Sequence, residues 1–340
     1  MKYFTPKSSD AQNIIGRNEQ RKHSFQRLPD FYKNSVRKEV WDLSENNAGV
    51  SIQFVTDSKH LKLRWSVKLD FRMNHMTDAG IKGLDVYEYV NNQWKYLSTG
   101  LPNSNKNEHL IKFNDVNNKT LCLYLPLYDS IVDLDIGIDG DSNLKFIKNE
   151  NKPIVFYGTS ITQGGCASRP GMAHTNIISR NTIHPCVNLG FSGNGHLETE
   201  IGGILSKVDA KCFVIDCLPN VDTTKIESQV ISLVKSIRNK NDDNPCPIVF
   251  IEQPTMHDAY IDEDVGEKNF ILSNEIKKCA GISFSYNHDG SPEKDTIDVE
   301  DTEESSIPED PTDQDEQQAE IKIYFEGPDG EQKVMIIEYE

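Results

Sequence analysis

Residues 154–162 read Ile-Val-Phe-Tyr-Gly-Thr-Ser-Ile-Thr, and this stretch decides how the middle of the chain folds. Its first four residues form an unbroken apolar run, which is typical of a short strand buried on both faces. Gly158 then permits a sharp turn, and Ser160 follows. Ligands of open α/β sheets bind beyond the carboxyl ends of the strands, so Ser160 is placed as a nucleophile. Taken alone, the stretch fits a serine that merely caps a helix equally well.

The segments that follow repeat this pattern. Short apolar runs at residues 185–189, 212–216 and 248–251 predict further buried strands. Between them lie helix-like stretches, of which residues 226–237 are the clearest because four apolar residues recur there at helical spacing: Ile226, Val230, Leu233 and Ile237. Alternating strands and helices predict a central parallel sheet with helices on both faces, a three-layer α/β/α domain.

The chain before this region has a different character. Residues 1–148 contain short runs of alternating apolar and polar residues, separated by Gly, Asn, Asp and Pro, at 50–55, 61–67, 84–90, 110–113 and 121–125. Such alternation with turn residues between the runs predicts an N-terminal β-sandwich of jelly-roll type. We therefore expect a sandwich domain at 1–148 and an α/β domain at 151–285.

The C-terminal part changes again. Residues 286–320 are crowded with Asp and Glu, which contribute to a formal net charge of -17. A segment of this composition buries too little apolar surface to offset its chain entropy, so we predict a disordered acidic linker. Residues 321–340 hold two apolar runs around Gly-Pro-Asp-Gly, which predicts a β-hairpin. The α/β domain is short, and we expect it to be truncated.

The motifs in the α/β part resemble those of the SGNH/GDSL serine esterases. Tyr-Gly-Thr-Ser-Ile-Thr at 157–162 resembles block I of that family, although Thr159 stands where Asp is usual. The resemblance implies that Ser160 is the nucleophile. It also implies two donors for the oxyanion of the reaction: Gly193, within Asn-Leu-Gly-Phe-Ser-Gly at 188–193, and Asn220, at the end of Asp-Cys-Leu-Pro-Asn at 216–220.

A further likeness lies in the sandwich. Residues 83–87, Gly-Leu-Asp-Val-Tyr, resemble the Gly-x-Asp-Leu-Tyr motif of the branch that carries a β-sandwich in front. Members with this architecture are similar to carbohydrate esterases of the acetylxylan type. The resemblance thus implies a carbohydrate O-deacetylase that works through an acyl-serine intermediate, with an ester of a small molecule or polysaccharide as substrate.

The catalytic base is the missing part of this pattern. In the family it is a histidine in Asp-x-x-His near the C-terminus, and this motif is not found here. After Asn220 only His288 and His257 are available, and either is a candidate base. Three hypotheses remain open: an active esterase, a catalytically inactive homologue that binds glycans or proteins, and an interaction protein whose acidic tail binds a basic partner. Arg169 is a substrate-side or a buried-pair residue.

Other classes of function are disfavoured. The negative charge argues against nucleic acid as a partner. No apolar run is long enough for a membrane span, and residues 1–8 do not resemble a signal peptide, so we expect a cytoplasmic chain, although family members are often secreted or periplasmic. No phosphate loop and no metal-ligand spacing occurs, so we predict no cofactor and no metal. The oligomeric state does not follow from the sequence.

Overall fold

The computed structural model describes residues 1–6, 14–17, 25–238, 246–252, 271–272, 275, 320–326 and 332–338. The chain divides into two compact units. The first consists of residues 1–220 and 233–251, and the second of residues 221–232 and 252–340. Residues 286–319 of the predicted acidic linker and the two candidate bases, His257 and His288, lie outside the described residues, whereas Glu320 is described and belongs to a strand. Within the described ranges, no helix combines the length and apolarity that crossing a bilayer requires.

Two antiparallel sheets form the N-terminal part of the first unit. One has the strand order β1-β9-β4-β7, and the other has the order β10-β3-β8-β5-β6, with β2 beside β3. The bounds are β1 Lys2–Phe4, β2 Ile14–Ile15, β3 Ser51–Thr56, β4 His60–Val67, β5 Leu84–Val90, β6 Gln93–Gly100, β7 Lys106–Lys112, β8 Lys119–Tyr124, β9 Ile131–Ile138 and β10 Leu144–Phe146. Two short helices, α1 (Lys38–Ser44) and α2 (Asp78–Lys82), join them. The predicted β-sandwich is confirmed.

The core of the sandwich follows from alternation along its strands. On β4 the residues Leu61, Leu63 and Trp65 are buried, and they pack in one cluster with Ile52 and Phe54 of β3. Each of these strands turns its other residues away from the core, as a period of two requires. Burial of this apolar face stabilises the sandwich by about 25 cal/mol for each Å² removed from water.

The α/β part is a four-stranded parallel sheet in the order β12-β11-β13-β14. Its strands are β11 Ile154–Gly158, β12 Cys186–Gly190, β13 Cys212–Asp216 and β14 Ile248–Phe250, and its helices are α3 Ser160–Gln163, α4 His174–Asn181 and α5 Thr199–Leu205. All five residues of β11 and of β12 are buried. The predicted parallel sheet is confirmed, and strand β11 lies inside it.

Two further features belong partly or wholly to the second unit. Helix α6 covers Thr223–Ile237, and the four residues predicted to share one face are all buried. Strands β15 (Glu320–Glu326) and β16 (Gln332–Glu338) pair in antiparallel fashion, with Glu320 opposite Glu338 and Glu326 opposite Gln332. The two strands of the expected C-terminal hairpin are therefore present.

Candidate active site

The turn after β11 presents Ser160 at the start of α3. Thr159 precedes the helix in an extended conformation, and its side chain accepts a hydrogen bond from the Ile161 amide. Thr159 is therefore the helix cap, and the serine that follows does not have that role. Ser160 is partly exposed, and in the described part of the chain its hydroxyl makes no hydrogen bond.

The residues around Ser160 hold this turn tightly. A Cβ added to Gly158 would lie 2.1 Å from the Thr162 hydroxyl oxygen, so only glycine fits there. The Thr159 amide donates to the backbone oxygen of Asp216 at 3.1 Å. The Thr162 hydroxyl donates to the Asp216 carboxylate at 2.6 Å. Asp216 is buried, and burial raises the pKa of its carboxyl group to about 6.

The loop after β12 carries Gly193. Its φ is +68°, a region that favours glycine, and nothing lies within 4 Å of the place where a Cβ would be. A turn is closed by the Asn194 amide, which donates to the Phe191 oxygen at 2.8 Å. The Ser192 amide donates to the Gln163 side-chain oxygen at 2.9 Å, which ties this loop to α3. In the described residues the Gly193 amide itself donates to nothing.

A network of side-chain hydrogen bonds also holds the loop that carries Gly193. Arg37 donates to the side-chain and backbone oxygens of Asn194 at 2.8 and 2.9 Å, and to Glu198 at 3.0 Å. Tyr157 of β11 also donates to Glu198. Burial opposes ionisation of Glu198, yet these hydrogen bonds hold its pKa below the ordinary value. The loop with Gly193 is thereby attached both to the sheet and to the segment before α1.

A second arginine supports strand β12. Arg27 is fully buried, and its guanidinium donates to the backbone oxygens of Asn46, Asn188 and Gly190 at 2.9, 3.0 and 2.6 Å. Burial lowers the pKa of Arg27 to about 9. The guanidinium also lies 5.0 Å from the centre of the Phe191 ring. Arg27 therefore holds the end of β12 through hydrogen bonds to its backbone and through this ring contact.

Asn220 closes a 3-10 turn, Leu218–Asn220, after β13. The backbone amide of Asn220 donates to the backbone oxygen of Cys217 at 3.0 Å, and this bond closes the turn. The side-chain Nδ2 of Asn220 is buried, and within the described residues it has no hydrogen-bond partner. A buried donor without an acceptor costs about 1–3 kcal/mol, so its retention calls for a ligand or a function.

The sheet register brings the three loops side by side. Gly158 of β11 lies opposite Gly190 of β12 and Asp216 of β13. The carboxyl ends of these strands are therefore at one level, and Ser160, Gly193 and Asn220 follow them by two, three and four residues. A hydroxyl, two backbone amides and a side-chain amide thus stand on adjacent loops at one edge, the composition that acyl transfer requires.

No described histidine completes this arrangement. Of the six in the described residues, none bonds to the Ser160 hydroxyl. His174 is partly exposed, its ring centre lies 5.7 Å from that of Phe156, and desolvation lowers its pKa to about 4. A ring nitrogen of His196 lies 3.0 Å from the Gly193 oxygen, and His75 contacts Asn74. Among the described side chains, no group of three His, Cys, Asp or Glu could hold a metal ion.

Comparisons with known proteins agree with this architecture. Residues 151–312 match the model of the GDSL-like lipase/acylhydrolase family, and residues 1–144 match a model of the N-terminus of SGNH-hydrolase-type esterases. A crystal structure from Bacteroides ovatus, described as a GDSL-like lipase, is 30% identical and has a TM-score of 0.76, with 82% of each chain covered. No curated protein sequence matches the chain.

Two further solved structures are similar at lower identity. A salicylyl acyltransferase from a tetracycline biosynthetic pathway is 16% identical with a TM-score of 0.61, and 82% of each chain is covered. An acetyl xylan esterase from Butyrivibrio proteoclasticus is 12% identical with a TM-score of 0.49, covering 83% of this chain and 87% of that one. Because the Bacteroides ovatus structure is 30% identical over 82% of each chain and both family models match, the chain belongs to the GDSL-like lipase/acylhydrolase family.

Proposed function

We propose that this protein is a serine ester hydrolase in which Ser160 forms the acyl intermediate. Gly193 and Asn220 are then the donors to the oxyanion, together with the amide of Ser160. The observation that carries the proposal is the buried side-chain amide of Asn220, which has no partner in the described part of the chain. A donor left free in this way is what an oxyanion site needs before substrate arrives.

The reaction has two steps. The Ser160 oxygen attacks the ester carbonyl carbon, its proton passes to a base, and the bond to the leaving oxygen breaks so that the alcohol departs with that proton. Water then attacks the acyl-serine, and the acid leaves while the hydroxyl proton returns. In both steps a negative oxygen forms transiently, and each donor contributes about 2.7–4 kcal/mol to its stabilisation.

We propose that turnover is slow, since no Asp-x-x-His motif occurs in the sequence after Asn220. Without its base, a serine site of this kind retains roughly 10³–10⁴-fold acceleration, from oxyanion stabilisation and substrate binding. His288 and His257 are the two side chains after Asn220 that could take the proton. Each lies outside the described residues, so both are tested by substitution.

The proposed substrates are acetyl esters of carbohydrates. Support comes from the Gly-Leu-Asp-Val-Tyr segment at 83–87, which resembles the motif of the sandwich-bearing branch.

The test is hydrolysis of p-nitrophenyl acetate and release of acetate from acetylated xylan. We expect a rate that disappears in Ser160→Ala and persists in Ser168→Ala, a matched control because Ser168 is exposed on the loop that follows. His257→Ala and His288→Ala identify the base if one lowers the rate to the remaining background. Equal rates for the wild type and Ser160→Ala would contradict the proposal and favour an inactive homologue.

A further inference from the structure

Asp85 of the sandwich binds the loop that follows the Ser160 helix. The Asp85 side chain is fully buried on β5. One of its oxygens accepts from the Thr99 hydroxyl at 2.6 Å, a contact within the sandwich. The other accepts from the Arg169 guanidinium at 2.7 Å and from the Gly171 amide at 2.8 Å. A carboxylate without access to water is thus satisfied largely by residues of the α/β part.

Arg169 is held by more than this ion pair. Its guanidinium also donates to the Tyr87 hydroxyl at 2.6 Å and lies 4.0 Å from the centre of the Tyr96 ring. A Cβ added to Gly171 would lie 2.5 Å from the Tyr87 ring, so the loop backbone fits closely against the sheet. Of the two roles expected for Arg169, that of a buried-pair residue is the one its contacts support.

Sandwich residues also contact the chain at other points of this loop and of α3. The Thr77 hydroxyl donates to the backbone oxygen of Ser168 at 2.5 Å. In α3, the Gln163 side-chain amide donates to the Leu127 backbone oxygen at 3.2 Å, and the Tyr128 hydroxyl donates to the backbone oxygen of Ser160 at 3.4 Å. Sandwich residues therefore bind the chain at several points between Ser160 and Gly171.

We propose that Asp85 is a positioning residue for the nucleophile, and that the sandwich is part of the scaffold of the active site. The charge of Asp85, matched by Arg169, fixes residues 164–172. That loop in turn fixes the end of α3, whose first residue is Ser160. The catalytic consequence rests on the proposed esterase function, whereas the ordering of the loop does not.

The test compares Asp85→Asn with Asp135→Asn. Asp135 is a matched control because it lies on β9 in the other sheet and accepts one hydrogen bond, from Thr5 at 2.7 Å. Hydrogen exchange is measured for amides of residues 164–173 and, as an internal reference, for amides of β3 and β8. The single-turnover rate of acetylation of Ser160 by p-nitrophenyl acetate is measured with the same variants over a range of ester concentrations, which separates the acylation rate constant from ester binding.

We expect Asp85→Asn to speed exchange in residues 164–173 by about 10-fold or more while β3 and β8 keep their protection, because local opening does not require global unfolding. We also expect the acylation rate constant to fall by about 10-fold with the dissociation constant of the ester nearly unchanged, since orientation rather than binding is lost. Asp135→Asn should change neither.

A second pair of variants, at Arg169, tests the same ion pair if Asp85→Asn fails to fold. Arg169 is partly exposed, so Arg169→Gln should fold and loosen the loop, and Arg169→Lys, which keeps the charge, should restore part of the protection. Wild-type protection of residues 164–173 in both Asp85→Asn and Arg169→Gln would overturn the proposal, as would equal loss across β3 and β8. Absence of Ser160-dependent turnover in the wild type would refute the esterase function alone, because exchange would still report on the loop.

Discussion

Asn220 and Asn188 differ in whether their side-chain amides are hydrogen-bonded in the folded protein. Its side-chain Nδ2 is buried and has no partner in the described residues, whereas the Nδ2 of Asn188 donates to Thr162 at 2.6 Å and to Thr175 at 2.9 Å. The first amide contributes nothing to the folded state by hydrogen bonding, and the second contributes two bonds.

Substitution of Asn220 should therefore lower the rate without destabilising the fold. We expect Asn220→Ala to lower the Ser160-dependent rate by about 100-fold, since one oxyanion donor is removed. The free energy of unfolding should stay the same or rise by up to about 1–3 kcal/mol, because a buried donor without an acceptor is removed. Asn188→Ala, in contrast, should destabilise the protein by about 1–3 kcal/mol. Urea unfolding measures the stability of both variants, and hydrolysis of p-nitrophenyl acetate measures their rates. Strong destabilisation in Asn220→Ala would contradict the view that the Asn220 side-chain amide has no partner in the folded protein.

Asp216 predicts a pH dependence of stability. Burial raises its pKa in the folded protein to about 6, above the value of 3.8 that it has without burial. The folded state therefore holds the proton more tightly, and this group's contribution to stability falls as pH rises from about 4 to about 6. Asp216→Asn should remove this fall, on the order of 3 kcal/mol, and so stabilise the protein at pH 7.

The measurement is urea unfolding between pH 4 and pH 8. Exposed Asp141 provides the control, because Asp141→Asn should leave the pH profile unchanged. A wild-type profile that Asp216→Asn does not alter would show that Asp216 titrates at its ordinary value.

At the scale of single residues, the sequence predicted which residues could act in catalysis, but it did not predict which residues hold them in place. Ser160, Gly193 and Asn220 were predicted from short motifs that surround each of them, and those roles remain proposals. The cap at Thr159 was not predicted, since either residue of Thr-Ser can cap a helix. The partners of Arg27 could not be predicted either, because a guanidinium that donates to backbone oxygens leaves no pattern in the side chains it binds.

Among the elements, the loop after β12 is placed by close packing of glycine against the nucleophile turn. A Cβ on Gly195 would lie 2.3 Å from the backbone oxygen of Gly158, so the loop and the turn touch through their backbones. Gly203 lies within α5, and nothing is found within 4 Å of the corresponding position. The two glycines therefore provide a matched pair, one required by packing and the other not.

We expect Gly195→Ala to push the loop with Gly193 away from Ser160 and to lower the rate of acylation by about 10-fold or more, because misplacement of a catalytic group by about 1 Å is costly. Gly203→Ala should stabilise the protein by about 0.5–1 kcal/mol and leave the rate unchanged, since alanine is the better helix former. Thermal unfolding and acylation kinetics distinguish the two. An unaffected rate in Gly195→Ala would show that the loop tolerates displacement.

The elements themselves were predictable where a pattern was local. The buried strands β11, β12 and β13 follow from apolar runs, and α6 follows from its spacing of buried residues. Strand β6 was not predicted. It forms a hairpin with β5 through Asn91 and Asn92, which both have positive φ, and of its own residues only Gly100 is buried. A strand with little buried surface carries a weak alternation signal.

For the first unit as a whole, the sandwich and the α/β part depend on one another. Arg27 and Asp85 each make buried hydrogen bonds that connect the two parts. Contacts of this kind join residues 84 to 163 positions apart in the sequence. No local pattern encodes such pairs, so the sequence predicted two domains without predicting that one supports the site of the other.

Destabilising the sandwich should therefore weaken the α/β sheet. Leu63 is fully buried in the sandwich core, and Leu63→Ala should cost about 2–5 kcal/mol through lost burial and a cavity. Hydrogen exchange should show the same loss of protection in β11 and β13 as in β4, because the unit unfolds cooperatively. Exposed Leu101 supplies the control, as Leu101→Ala should change neither. Full protection of β11 in Leu63→Ala would mean that the two parts fold independently.

The most direct measurement of the central claim is the location of acetyl groups after brief exposure to p-nitrophenyl acetate. Because deacylation also needs a base, an acyl-serine should accumulate when the base is weak or missing. Peptide mapping by mass spectrometry should find one acetyl group on Ser160 in the wild type, much less in Asn220→Ala, and none at that peptide in Ser160→Ala. Acetylation confined to lysines, with identical patterns in the wild type and Ser160→Ala, would contradict the proposed nucleophile.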